Sequence, residues 1–221
     1  MSTRRATSSL TRLLWILAVL ALATILATLL DRRLVAWLAT TEPEARARLV
    51  GRDWYQFLRA VGYLPTWLVI AGALALLDRR ARGIGRGVLV MLAPILAGAI
   101  AELVKLVIAR ERPVRDGVIQ NDAAYVWRGL LSGFSDSSNL GMPSSHAAVA
   151  FAGAAMLGIL FPPLRWLMLA LAAGCGLTRL LTGAHFASDV VVGASIGVLT
   201  AWALGALARP GGSDSGAYTR R

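Results

Sequence analysis

The chain has 221 residues, is 57% hydrophobic and carries a formal charge of +11. Its mean hydropathy of +0.62 lies above the soluble range, so a membrane class comes before a soluble nucleic-acid binder, which the charge alone would suggest. The arginines fall mainly between apolar runs, as interfacial anchors and sites of attraction to anionic lipid do. The single cysteine, Cys175, lies inside an apolar segment; it permits no disulfide within one chain and reads as a small buried hydrophobe.

Residues 1–12 are polar and basic and are expected to form a mobile cytoplasmic tail. The run from Leu13 to Leu30 is longer than a signal-peptide core and ends at Asp31-Arg32-Arg33 without a convincing cleavage site, so it is expected to be a retained transmembrane helix. From Asp31 to Gly62 the chain is charged. There Ala45, Leu49, Trp54, Phe57, Leu58 and Val61 recur at helical spacing, which predicts an amphipathic helix in the interface with Trp54 and Tyr55 at headgroup depth.

A second span is expected from Tyr63 to Leu77, then a basic turn, Asp78 to Gly87. The third span, Val88 to Ile108, carries Glu102 and Lys105 near its end, and ionisable groups at that depth point to function. A loop of about thirty residues, Arg112 to Met142, is too long for a plain connection and is expected to fold over something or dip into the interface. Spans from Ser145 to Phe161, Leu164 to Leu181 and Phe186 to Leu207 follow. The Gly/Ser-rich tail, 209–221, is expected to be disordered. The predicted fold is therefore all-α: one membrane domain, 13–208, of six transmembrane helices plus an interfacial amphipathic helix.

The stretch Gly141-Met142-Pro143-Ser144-Ser145-His146 reads as a helix start, with Pro143 ending what precedes it and a serine as cap. Such a start offers free N–H groups and the positive end of a macrodipole, a natural seat for an oxyanion. If spans three to six cross alternately, it shares one side of the membrane with the end of the third span and the turn between the fifth and sixth. Those places hold Lys105 and Arg112, on one face if the helix persists, and Arg179, His185 and Asp189. Both histidines and the only lysine of the chain fall in this set.

Three cations and a helix start can hold a phosphate and stabilise the charge on its equatorial oxygens during transfer. No carboxylate or His/Cys cluster suggests a metal, so the cations take that role and no cofactor is expected. A histidine whose tautomer is fixed by Asp189 is poised as a nucleophile toward phosphorus. His146 can then protonate the leaving oxygen and activate water. Spacing alone leaves the two histidine roles interchangeable.

These residues resemble the type 2 phosphatidic acid phosphatase (PAP2) superfamily, whose pattern runs K-x6-R-P, P-S-G-H and S-R-x5-H-x3-D. Here it stands as Lys105-x6-Arg112-Pro113, Pro143-Ser144-Ser145-His146 and Thr178-Arg179-x5-His185-x3-Asp189. The match covers residues 105–189, and the six-span outline resembles bacterial members. Ser145 replaces the usual glycine and Thr178 the usual serine.

The resemblance implies that His185 is the nucleophile, Asp189 its orienter and His146 the acid and base. It further implies that Lys105, Arg112, Ser144, Ser145 and Arg179 bind phosphate, and that the site faces the periplasm or exterior. The expected activity is hydrolysis of a terminal phosphate from a lipid phosphomonoester or diphosphate through a phosphohistidine, with membrane lipids as surroundings and no nucleic-acid partner. Within the superfamily an undecaprenyl-diphosphate phosphatase or a lipid phosphotransferase is an alternative. Outside it, the alternative is a non-enzymatic anion channel or transporter.

Overall fold

The computed structural model describes residues 2–77 and 81–208. The expected disordered tail, 209–221, and the Asp78-Arg79-Arg80 part of the basic turn lie outside the described residues. Eight α-helices are seen among them: α1 (Ser2–Leu38), α2 (Pro43–Val50), α3 (Asp53–Ala60), α4 (Leu64–Leu77), α5 (Ala81–Ile108), α6 (Ser145–Leu160), α7 (Arg165–Leu181) and α8 (Ala187–Leu207).

The centre of the bundle is α6, an Ala/Gly-rich helix that is apolar on all sides and buried along most of its length. It packs against α5, α7 and α8, while α1 covers α8, α4 covers α5 and α3 covers α7. Small residues make the closest approach possible. A Cβ at Gly193 would meet the Ser144 carbonyl oxygen at 2.3 Å, and one at Gly197 would meet that of Ala148 at 2.4 Å. The main chains of α6 and α8 therefore touch, as small-residue interfaces between membrane helices do.

Outward, the helices present Leu22, Ile25 and Leu29 on α1, Val69 and Leu76 on α4, and Leu96, Ile100 and Leu103 on α5. Such faces are stable only when lipid covers them, and the chain is an integral membrane protein. Four helical stretches are long and apolar enough to cross: Leu14–Leu38, Ile84–Ile108, Pro162–Leu181 and Ala187–Leu207. Helices α3 and α4, bent by 67° at their junction, make a fifth if counted as one. With 16 residues, α6 rises about 24 Å at ~1.5 Å per residue, short of the ~30 Å hydrocarbon layer. By length and composition four or five spans qualify and the expected six are not confirmed; α6, enclosed by protein, has no need to match the bilayer.

Three local expectations change. The backbone from Ser2 is helical and continuous with α1, which runs on past Asp31 to Leu38. Asp31 does not end the helix because its carboxylate turns inward and is fully buried with partners. The single amphipathic helix is two short ones, α2 and α3, separated at Gly51-Arg52. On α3, Trp54 and Phe57 are exposed, but Tyr55 is a core residue and not a headgroup anchor.

The third change is in the long connection. Helix α5 stops at Ile108, so Arg112 does not continue Lys105's helical face. The chain instead forms a small hairpin, β1 (Val114–Arg115) with β2 (Val118–Ile119), and two 3-10 turns. Isolated bridges pair Arg110 with Trp127 and Glu111 with Leu140, folding this loop across the ends of α5 and α6. Trp127, Leu130, Leu131 and Phe134 on it are exposed.

Candidate active site

A cavity of about 650 Å³ opens where the end of α5, the start of α6 and the α7–α8 turn meet. Lys105, Arg112, Ser145, His146, Arg179 and His185 all line it. Residues scattered over some eighty positions of chain thus converge, through the alternating course of α5 to α8. The cavity's other wall is apolar: Leu64 and Pro65 of α4, Ile95 and Ala99 of α5, and Val149 of α6.

Lys105 Nζ is 2.7 Å from a Glu102 carboxylate oxygen and donates to Ser145 Oγ at 2.8 Å. Ser145 Oγ in turn donates a short bond to the same Glu102 oxygen. The hydroxyl that replaces the family's glycine therefore sits inside the cationic end, tied to a carboxylate. Arg112 donates from Nε to the Leu140 carbonyl at 3.2 Å. Burial is the largest cause drawing its guanidinium below the usual value, with Asp189 and Glu102 opposing that. Arg179 is only 8% exposed and its Nε has no hydrogen-bond partner among the described residues. His146 Nε2 is likewise buried and unpartnered, with the Tyr63 ring edge-on at 5.3 Å and Arg59 above that ring. Unpaired buried nitrogens of this kind in a cavity wall need a ligand or solvent to complete them.

His185 is 3% exposed. Its Nδ1 lies 2.9 Å from the Gly141 carbonyl oxygen, and the nearest Asp189 oxygen is farther, at 3.6 Å. A carbonyl only accepts, so the proton is assigned to Nδ1 and the lone pair to Nε2, the nitrogen left for the cavity. Tautomer control expected of Asp189 thus rests first on Gly141. Burial pushes this imidazole down to about 4, against the opposing pull of Asp189, so it is neutral at physiological pH.

Two expected phosphate or catalytic residues lie behind the cavity wall. Ser144 is fully buried, and its hydroxyl accepts from the Ala147 N–H at 3.5 Å as the cap of α6. Asp189, also fully buried, accepts from the Phe186 N–H at 2.8 Å with one oxygen and forms a short ion pair with Arg110 through the other. Thr178 turns its hydroxyl to the Cys175 carbonyl, 2.7 Å away, and leaves the site to its neighbour Arg179.

Sequence reasoning missed Arg110, Asp31 and the Gly141 carbonyl. A lone carboxylate in an apolar helix is a signal that would have marked Asp31; the K-x6-R-P pattern singles out Arg112, and no motif marks Arg110. Among the described residues no group of three or more His, Cys, Asp or Glu side chains is placed to hold a metal.

A membrane-embedded helical bundle with a cavity that is cationic and histidine-bearing at one end and apolar at the other is the class this geometry defines. The chain belongs to the PAP2 superfamily, whose family model matches residues 86–209. It is similar to a decaprenylphosphoryl-5-phosphoribose phosphatase of Mycobacterium tuberculosis, 30% identical over 142 residues, which cover 59% of this chain and 65% of that protein. It is also similar to a lipid A 1-phosphatase of Rhizobium johnstonii, 33% identical over 103 residues, 47% of this chain and 40% of that one. The chain spans less than two thirds of the length of these relatives. No solved structure matches it.

Proposed function

We propose that the protein is a lipid phosphatase that removes a terminal phosphate from a lipid phosphomonoester or diphosphate through a phosphohistidine on His185. The observation that carries this is the two-ended cavity: Lys105, Arg112 and Arg179 at one end and Leu64, Pro65, Ile95 and Val149 at the other. Only an amphiphile with an anionic head satisfies both ends at once. Membership of the PAP2 superfamily and relatives whose names pair a phosphatase with a lipid support the same reading.

In the proposed reaction the lipid phosphate seats its equatorial oxygens on Lys105, Arg112, Arg179, the Ser145 hydroxyl and the N–H groups that open α6. The Nε2 lone pair of His185 attacks phosphorus, the bond from phosphorus to the lipid-side oxygen breaks, and protonated His146 gives its proton to that oxygen. The bound phosphate's negative charge favours the protonated form of His146 beforehand. Water then loses a proton to His146 and attacks phosphorus, the phosphorus–nitrogen bond breaks, and inorganic phosphate leaves with His185 restored.

The site is proposed to face the exterior of a bacterial plasma membrane. Arg86 and Arg165 lie at the opposite ends of α5 and α7 from the cavity, as basic residues on the cytoplasmic side do. The relatives are bacterial.

Purified protein in detergent is expected to release phosphate from a panel of lipid phosphates and diphosphates, and orthovanadate is expected to inhibit. His185→Ala is expected to abolish release while the thermal midpoint is kept. Absence of release from every lipid in the panel overturns the reading in favour of an anion carrier. Turnover retained by the variant overturns the nucleophile assignment.

A further inference from the structure

Behind the cavity lies a second, buried polar cluster that no step of the proposed reaction uses. Arg110, Ser188, Asp31 and Asp189 are each no more than 2% exposed. One guanidinium nitrogen of Arg110, Nη2, donates to both Ser188 Oγ, at 2.7 Å, and Asp189 Oδ1. The Ser188 hydroxyl donates a short hydrogen bond to one oxygen of Asp31 on α1, and the Ser188 N–H donates to the other Asp31 oxygen at 2.9 Å. Tyr125 OH closes the far end on Asp31 at 2.8 Å. Three rings, those of Tyr125, Phe186 and Trp127, surround the Arg110 guanidinium at 4.6, 5.0 and 5.5 Å.

This cluster reaches His185 twice. Through its side chain, Arg110 fixes Asp189, whose other oxygen receives the Phe186 N–H next to His185. Through its main chain, the Arg110 carbonyl accepts from the Gly141 N–H at 2.7 Å, and the Gly141 carbonyl is the partner of His185 Nδ1. Both groups that orient the imidazole are therefore set by Arg110.

Burying one cation and two carboxylates is costly without full pairing. An apolar contact between α1 and α8 would serve an anchoring helix at lower cost, so a purely structural role explains this arrangement poorly. The donor order also has a direction, from Arg110 to Ser188 to Asp31, which a neutral amide at position 31 cannot terminate in the same way.

We propose that Arg110 and Asp31 are positioning residues for the His185 nucleophile, with Ser188 joining them, so that helix α1 is a working part of the active site. Asp31 lies outside residues 86–209, which the family model matches. The proposal rests on His185 being the nucleophile, as argued above.

The test measures kcat, KM and inhibition by inorganic phosphate for Ser188→Ala, Asp31→Asn and Arg110→Lys, with wild type and His185→Ala alongside. Ser188→Ala removes one small group and leaves the Arg110–Asp189 pair, so it stays informative if the charge variants fail to fold. The expected result is a kcat lowered about tenfold in Ser188→Ala and about 10²-fold in the other two, the scale of a misplaced reacting group. KM and inhibition by inorganic phosphate are expected to stay within about twofold of wild type, because the cradle is untouched.

A kcat within about twofold of wild type in both Ser188→Ala and Asp31→Asn overturns the proposal, whatever happens to thermal stability. So does loss of inorganic-phosphate affinity in step with kcat, since that places the effect on phosphate binding. Failure of the phosphatase reading itself shows separately, as an inactive wild type or an active His185→Ala.

Discussion

Arg110 and Arg112 stand two residues apart in one loop and live in opposite surroundings. Arg110 is enclosed by three rings and bound to a serine and a carboxylate. Arg112 faces a cavity where its neighbours Arg179 and His146 have nitrogen atoms with no partner. Arg110 is held by protein through Nη2, although its Nε has no hydrogen-bond partner among the described residues, whereas Arg112 gives its Nε to the Leu140 carbonyl and lines the cavity. A buried cation ion-paired within the protein is scaffold for the site, and one that lines the cavity is available to a ligand.

Breaking the open side is expected to give the larger effects on turnover. His185→Ala should lower phosphate release at least about 10⁴-fold, the scale on which loss of a nucleophile leaves only residual catalysis. Measurable burst formation of phosphoenzyme in that variant would sink the assignment. Next, Arg179→Gln should lower kcat/KM about 10²- to 10³-fold. Its thermal midpoint should stay level or rise, because an incompletely paired buried cation is removed. Arg110→Gln should instead cost about 3–5 kcal/mol of stability by leaving Asp189 unpaired. Equal stability losses in the Arg179 and Arg110 variants, read by thermal unfolding in detergent, would erase the contrast between the two regions.

Smaller effects sharpen it. Glu102 is paired with Lys105 at 2.7 Å, so a phosphate bound at Lys105 would compete with that carboxylate. Glu102→Gln should lower KM about fivefold, equal to about 1 kcal/mol; an unchanged or raised KM would mean that Glu102 helps to bind substrate.

The mildest effect concerns pH. His185 is held down to about 4 in the folded protein against an ordinary 6.5. Its folded value is below the unfolded one, so the stability it contributes is full above about pH 6.5 and is lost as pH falls toward 4. The thermal midpoint should fall over that window in wild type and more gently in His185→Gln. Parallel slopes would show that His185 is not the group responsible.

The relation between sequence and structure follows the same division. Lys105, Arg112, Ser145, His146, Arg179 and His185 were legible as one site before any coordinates, because ionisable residues in apolar helices are rare and their spacing placed them at one end of the bundle. Asp31, read as the end of the first span, is instead a buried acceptor within α1. A charge at a span boundary and a charge turned inward look alike until the neighbouring helix is known. Ser144 was legible as a cap, and its withdrawal from the cavity follows from α8 packing on the same turn.

By itself the sequence determined the membrane class, the helical segments and the set of groups able to meet a phosphate. Those are properties of hydropathy, period and residue chemistry, which are local along the chain. Only the tertiary structure decided that Arg110 is buried against Asp189 and Ser188 while Arg112 lines the cavity, that the Gly141 carbonyl lies nearer His185 Nδ1 than Asp189 does, and that Asp31 of α1 bonds Ser188. These depend on which distant group completes each hydrogen bond, and burial makes that choice through packing that no single segment encodes.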